Sequence, residues 1–75
     1  MTEHQHELDA TGLLCPLPVL KFKKMIKQLL TGAVIKISAT DPDSVKDFNV
    51  FTQMKNFELL GSTDTDGVFT FIVKI

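Results

Sequence analysis

The chain has 75 residues, a formal net charge of −1, 44% hydrophobic and 23% charged residues, and one cysteine. Those values exclude a second domain, a disordered composition, a strongly basic nucleic-acid binder and an internal disulfide. No apolar run approaches the roughly 18 residues that a membrane span needs.

A chain this short buries only about 60% of the surface that its unfolded form exposes, so residues 1–75 must fold as one domain around an economical core. The polar start "MTEHQHE" is unlike the basic-then-apolar opening of an export signal, and the lone thiol suits a reducing compartment. A cytoplasmic location is the expectation.

Residues 1–5 read as a flexible tail. "HELDA" then alternates, with Leu8 and Ala10 on one side and Glu7 and Asp9 on the other, which predicts a short first strand. Gly12 supplies the freedom for the turn in "TGLL". From about Pro16 to Leu30 the pattern is helical, with Val19, Phe22, Met25, Ile26, Leu29 and Leu30 on one arc and Lys21, Lys23, Lys24, Lys27 and Gln28 opposite. Pro16 suits the first helical position and Pro18 the first turn, and Gly32 is placed to stop the helix.

"AVIKISAT" predicts a second strand with Ile35, Ile37 and Ala39 on the buried face. "DPDS" breaks that strand and offers caps for a second helix over about Asp43 to Lys55, where Val45, Phe48 and Phe51 recur at helical spacing and Asn56 closes the run. "FELLGST" is a third strand with a bulge or bend at Gly61. Asp66-Gly67 is a hairpin signal, and "VFTFIVKI" forms the last strand. The order β-α-β-α-β-β implies parallel pairing early and an antiparallel final hairpin. Alternation in the strands leaves one sheet face wet. The expected fold is therefore an α/β (α+β) two-layer sandwich, a four-stranded mixed sheet with two helices on one face.

Cys15 is the chemically interesting residue. A lone cysteine among Leu14, Leu17 and Val19 is most often a small buried hydrophobe. Placed just before a proline-marked helix start, however, its sulfur would lie near unpaired backbone N–H groups and the positive end of the dipole, which lowers a thiol pKa. No second cysteine is present for internal exchange. His4 and His6 sit in or beside the tail and read as solvated residues rather than as metal ligands or a base. No paired carboxylates, Ser/His/Asp set or phosphate-binding glycine loop is evident. A cysteine that works alone fits carrying a group better than turning over a substrate, with neither metal nor cofactor expected.

"LDATGLLCPLPVLKFKKMIKQLLTG" resembles the TusA/SirA-like family of small sulfur-carrier proteins, through Leu8-Asp9, Gly12, the Cys15-Pro16-Leu17-Pro18 signature, the helix after it and Gly32. "SATDPDSVKDF" resembles the family segment that ends the second strand. The resemblance implies the same sandwich, a persulfide on Cys15, a cysteine desulfurase-type donor and a downstream relay acceptor, in tRNA thiolation, molybdenum-cofactor or related sulfur metabolism. Gly12, Pro16 and Pro18 would position the sulfur. Leu14, Leu17, Leu20, Lys21 and Lys24 are candidates for partner docking. Members acting in tRNA thiolation often carry an arginine before the cysteine, an acidic residue between the prolines and a proline at the second helix, where this chain has Leu14, Leu17 and Asn49.

The rival reading is a non-catalytic regulatory or protein- or RNA-binding module with a structural Cys15. The sandwich also resembles the C-terminal domain of translation initiation factor 3. Net negative charge and the absence of tyrosine and tryptophan make direct nucleic-acid binding the weaker use of the lysine face.

Overall fold

A computed structural model describes residues 6–75, so the tail assigned to residues 1–5 lies outside the described residues. The elements follow the expected order: β1 (His6–Ala10), α1 (Leu17–Ile26), β2 (Val34–Ala39), α2 (Asp43–Lys55), β3 (Glu58–Thr65) and β4 (Val68–Lys74). They form one four-stranded sheet in the order β1-β2-β4-β3. β1 runs parallel to β2, from His6 opposite Ile35 to Ala10 opposite Ala39. β4 is antiparallel to both β2 and β3.

Period-two alternation decides which face is buried. Ile35, Ile37 and Ala39 of β2, and Phe71 and Val73 of β4, are buried and meet the helices. Phe48 of α2 is the link between layers. Its ring stacks on Phe71 at 4.9 Å and 28°, and meets Phe22 of α1 edge-on at 5.5 Å and 72°. Two polar side chains are buried with these groups, and both are satisfied. The Thr52 hydroxyl donates to Phe48 O and the Ser44 hydroxyl to Asp41 O.

Two turns carry the backbone freedom that their sequences promised. Asp66 and Gly67 have φ of 52° and 81°, the pair of positive values that a two-residue primed hairpin needs. Asn56 ends α2 in the left-handed region at φ 58°. The irregularity expected at Gly61 is a register shift between Leu59 and Gly61, which turns the extra residue, Leu60, outward.

The first helix is shorter than its apolar pattern suggests. Pro16 is its N-cap rather than its first residue, and regular helix ends at Ile26 instead of Leu30. Beyond Ile26 the bonds tighten to three-residue turns, Gln28 N–H to Met25 O and Leu29 N–H to Ile26 O. The cause is the tie to the far end of the sheet. Gly32 N–H donates to Ile75 O at 2.8 Å and Ile75 N–H to Ala33 O at 3.0 Å, so the chain must leave the helix early to reach β2. Leu29 still packs against the core, while Leu30, placed on the buried arc by its spacing, is 85% exposed.

Because Phe48 touches both the other helix and the sheet, Phe48→Ala should lower the unfolding free energy by about 3–5 kcal/mol. Urea unfolding followed by circular dichroism measures the loss, and a loss below about 1 kcal/mol would contradict this role for Phe48.

Candidate functional site: a thiol at the carboxyl ends of two parallel strands

Parallel pairing of β1 and β2 places their carboxyl ends side by side, with Ala10 opposite Ala39. The loops leaving these strands must therefore run next to each other, as at the ligand-binding crevices of open parallel sheets. In the first loop the Asp9 carboxylate accepts from Thr11 N–H at 2.9 Å and from the Thr11 hydroxyl at 2.6 Å, folding an Asx turn. Gly12 follows at φ 80°, which favours glycine, and Leu13 N–H closes the turn onto Ala10 O. Those Thr11 donors, and then Lys21, hold the Asp9 carboxyl below the ordinary carboxylate value.

Three hydrogen bonds then stitch this loop to the connection between β2 and α2 and to α2 itself. Gly12 N–H donates to the Thr40 hydroxyl at 2.8 Å. Cys15 N–H donates to one oxygen of Asp41 at 2.6 Å, and the other oxygen of Asp41 accepts from Asp43 N–H at 3.1 Å. The Cys15 thiol itself donates to Asp47 Oδ2 at 2.5 Å. Asp41 thus fixes the backbone of the cysteine while helping to start α2, and Asp47 fixes the sulfur.

Cys15 is exposed, so the reading of it as a buried structural hydrophobe does not hold. Its expected acidity does not hold either. The thiol is pushed up to about 11, first by its hydrogen bond to Asp47, then by desolvation, and then by the charges of Asp47, Asp41 and Asp43. The head of α1 cannot offset this. Pro16 and Pro18 have no N–H, Leu17 N–H is already spent on Leu14 O at 2.8 Å, and three carboxylates outweigh a half-charge dipole. At neutral pH the free thiol keeps its proton.

The other residues singled out in the sequence fall into two groups. Of the residues expected to position the sulfur, Gly12 lies in the turn after β1, Pro16 follows Cys15 through a cis peptide, and Pro18 is fully buried in the first turn of α1. Leu14, Leu17 and Leu20 are exposed, at 70%, 49% and 49%. Lys21 instead turns back onto the fold, donating to Asp9 O at 2.6 Å, and Lys24 is exposed but lies outside the groove beside the thiol.

That groove, of about 480 Å³, runs between α1 and α2 and has Cys15 and Pro16 in its wall. Val19, Leu20, Val50, Phe51 and Met54 give it an apolar lining, while Lys23, Lys46 and Lys55 supply positive charge. Lys23 stands 5.3 Å from the centre of the Phe51 ring, a cation–π distance. Asp41, Asp47, Val50 and Met54 were not among the sequence candidates. A signal for the aspartates was present, because three carboxylates in "DPDSVKD" follow a strand expected to pair in parallel with the one before Cys15.

A single exposed thiol beside an apolar groove, with no second cysteine in the sequence, sets this domain apart from the dithiol oxidoreductases and is the arrangement a one-cysteine carrier needs. The profile of the family described as Sulfurtransferase TusA matches residues 6–75, and the chain belongs to that family. It is 45% identical over 74 residues to the sulfur carrier protein TusA of Allochromatium vinosum, covering 99% of this chain and 97% of the relative. Identity to the sulfur carrier protein TusA of Pseudomonas entomophila is 38% over 71 residues, 95% of this chain and 89% of that one. Among solved structures, a SirA-like protein from Desulfitobacterium hafniense superposes with a TM-score of 0.82 at 22% identity, covering 93% of this chain and 96% of the other. That structural likeness establishes the two-layer fold.

Removing the Asp41 carboxylate frees Cys15 N–H and Asp43 N–H together. Asp41→Ala should cost about 1–2 kcal/mol of stability by urea unfolding, as for a lost helix cap. Hydrogen exchange at the Cys15 amide should quicken with it; unchanged protection there would show that Asp41 does not hold this amide.

Proposed function

We propose that the chain carries sulfur, with Cys15 as the site that receives a sulfane sulfur as a persulfide and hands it to a partner protein. Membership of the TusA family and the exposed Cys15 at the head of the groove carry this reading. In loading, Cys15 Sγ attacks the terminal sulfur of a donor persulfide, R–S–SH. The new Sγ–S bond forms as the donor S–S bond breaks, and the donor sulfur leaves as thiolate and takes up the proton released from Cys15. The sum is Cys15–SH + R–S–SH → Cys15–S–SH + R–SH. No oxidant or reductant is consumed, because the sulfane sulfur keeps its oxidation level. Unloading repeats the step with an acceptor thiol as nucleophile and Cys15 as leaving group.

A cysteine desulfurase-type protein is the donor that this chemistry calls for, and a relay protein with a free thiol is the acceptor. Exposed Leu14, Leu17 and Leu20 on one side and Val50 and Met54 on the other favour a protein partner over RNA, since apolar contact at the thiol is what excludes water from the transfer. Lys23, Lys46 and Lys55 give the same surface a positive rim that suits acidic residues on a partner. The leucines at positions 14 and 17 make this docking surface more apolar than the arginine and acidic residue found in many relatives of the tRNA-thiolation type.

Incubation with a cysteine desulfurase and sulfur-labelled cysteine should place label on the protein that dithiothreitol removes. Cys15→Ser should take up none while retaining the fold by circular dichroism. Equal labelling of Cys15→Ser would overturn the assignment. Leu20→Glu should keep the thiol chemistry but slow loading by about tenfold or more, as expected for a charge inserted in an apolar contact surface.

A further inference from the structure

Resting on Cys15 as the carrying thiol, a further role falls to a residue that the transfer chemistry does not itself require. Asp47 projects from the second turn of α2, half-buried, and its Oδ2 takes the thiol hydrogen at 2.5 Å. Neighbouring groups hold this geometry from both sides. Asp41 grips the cysteine backbone at 2.6 Å, and Phe48, next to Asp47, is fully buried and anchors this turn of α2 on the core. Facing the sulfur are the carboxylates of Asp41, Asp43 and Asp47 from the β2–α2 loop and α2. Lys46 of α2 and Lys23 of α1 line the groove beside it, and Lys23 is engaged over Phe51.

We propose that Asp47 is a positioning residue that guards the carrier thiol: in the empty protein it holds the proton on Cys15 sulfur, so that the thiol ignores diffusible electrophiles. Hydrogen bonding to the neutral thiol favours that form, and the nearby carboxylate charge opposes the thiolate. Loading dissolves the guard by chemistry alone. Once Cys15 Sγ is bonded to the sulfane sulfur it bears no hydrogen, and its bond to Asp47 Oδ2 has no donor. Asp47 therefore acts on the empty carrier and releases the loaded one.

The test is the rate of alkylation by iodoacetamide between pH 6 and 11, read for wild type, Asp47→Asn and Asp43→Asn. A return from about 11 to the ordinary value of 9.0 would raise the thiolate fraction about a hundredfold at neutral pH. The weaker nucleophilicity of the more acidic thiol offsets about a factor of eight, leaving about tenfold as the ceiling. Asp47→Asn should approach that gain and shift the pH profile to lower pH. Asp43→Asn, which acts on the sulfur only through its charge, should gain less.

Asp47→Asn should also still accept sulfur from a cysteine desulfurase. A variant that alkylates at the wild-type rate or more slowly would overturn the guard. So would loss of both alkylation and loading, because that marks Asp47 as a general base, whose removal costs about 10²–10⁴-fold. Should Asp47→Asn fail to fold, wild type against N-acetylcysteine decides: slower alkylation of the protein at pH 7–8 supports the guard, and equal or faster alkylation overturns it. Failure of wild type to load sulfur, with the alkylation contrast intact, would instead count against the carrier reading.

Discussion

Everything at the site depends on the parallel register of β1 against β2. With Ala10 opposite Ala39, both strands end at the same level, and the loops that follow are forced to share one edge of the sandwich. A slip of two residues would keep each side chain on its face yet move the second loop by about 6.6 Å along the sheet. The contacts of Cys15 with Asp41 and Asp47 could not survive that displacement. Burial of Leu8, Ala10, Ile35, Ile37 and Ala39 on one face excludes a one-residue slip, and the bonds from Gly12 N–H to Thr40 and from Cys15 N–H to Asp41 oppose a slip of two, so core packing and loop contacts select the same pairing.

The electrostatics at that edge run against the simplest view of a cysteine at a helix start. A helix dipole offers roughly half a positive charge, delivered mainly by free N–H groups. Here two prolines remove donors, and Leu14 O occupies the Leu17 donor. The carboxylates are close, and one touches the sulfur. Proline at this helix head therefore serves the shape of the loop rather than its charge. The outcome is an exposed thiol that is neutral at physiological pH, beside a groove with an apolar lining. Under the proposed carrier role of Cys15, such a pairing of access with low resting reactivity suits a sulfur that reacts with chosen partners.

Much of the fold was legible because local pattern and tertiary structure agree. The alternation of Ile35, Ile37 and Ala39, the Val45-Phe48-Phe51 spacing and the Asp66-Gly67 turn each specify an element that the structure contains. The end of α1 was not legible. Leu29 and Leu30 continue the helical period, and only the long-range bonds between Gly32–Ala33 and Ile75 show why the helix stops at Ile26. Cys15 and its flanking residues could be read from "GLLCPLP", but the acidity of the thiol could not, because its determinants lie 26 and 32 residues away in Asp41 and Asp47. Lys21 illustrates the same limit: its helical position suggests a solvated face, while its ammonium group is tied to the backbone of Asp9.

The neutral thiol is the claim on which the physical account of this site turns. Spectrophotometric titration of thiolate absorbance in the wild-type protein measures it directly, since Cys15 is the only cysteine. The account predicts a midpoint near 11. A midpoint at or below the ordinary thiol value would show that the helix start, and not the Asp47 carboxylate, governs the sulfur.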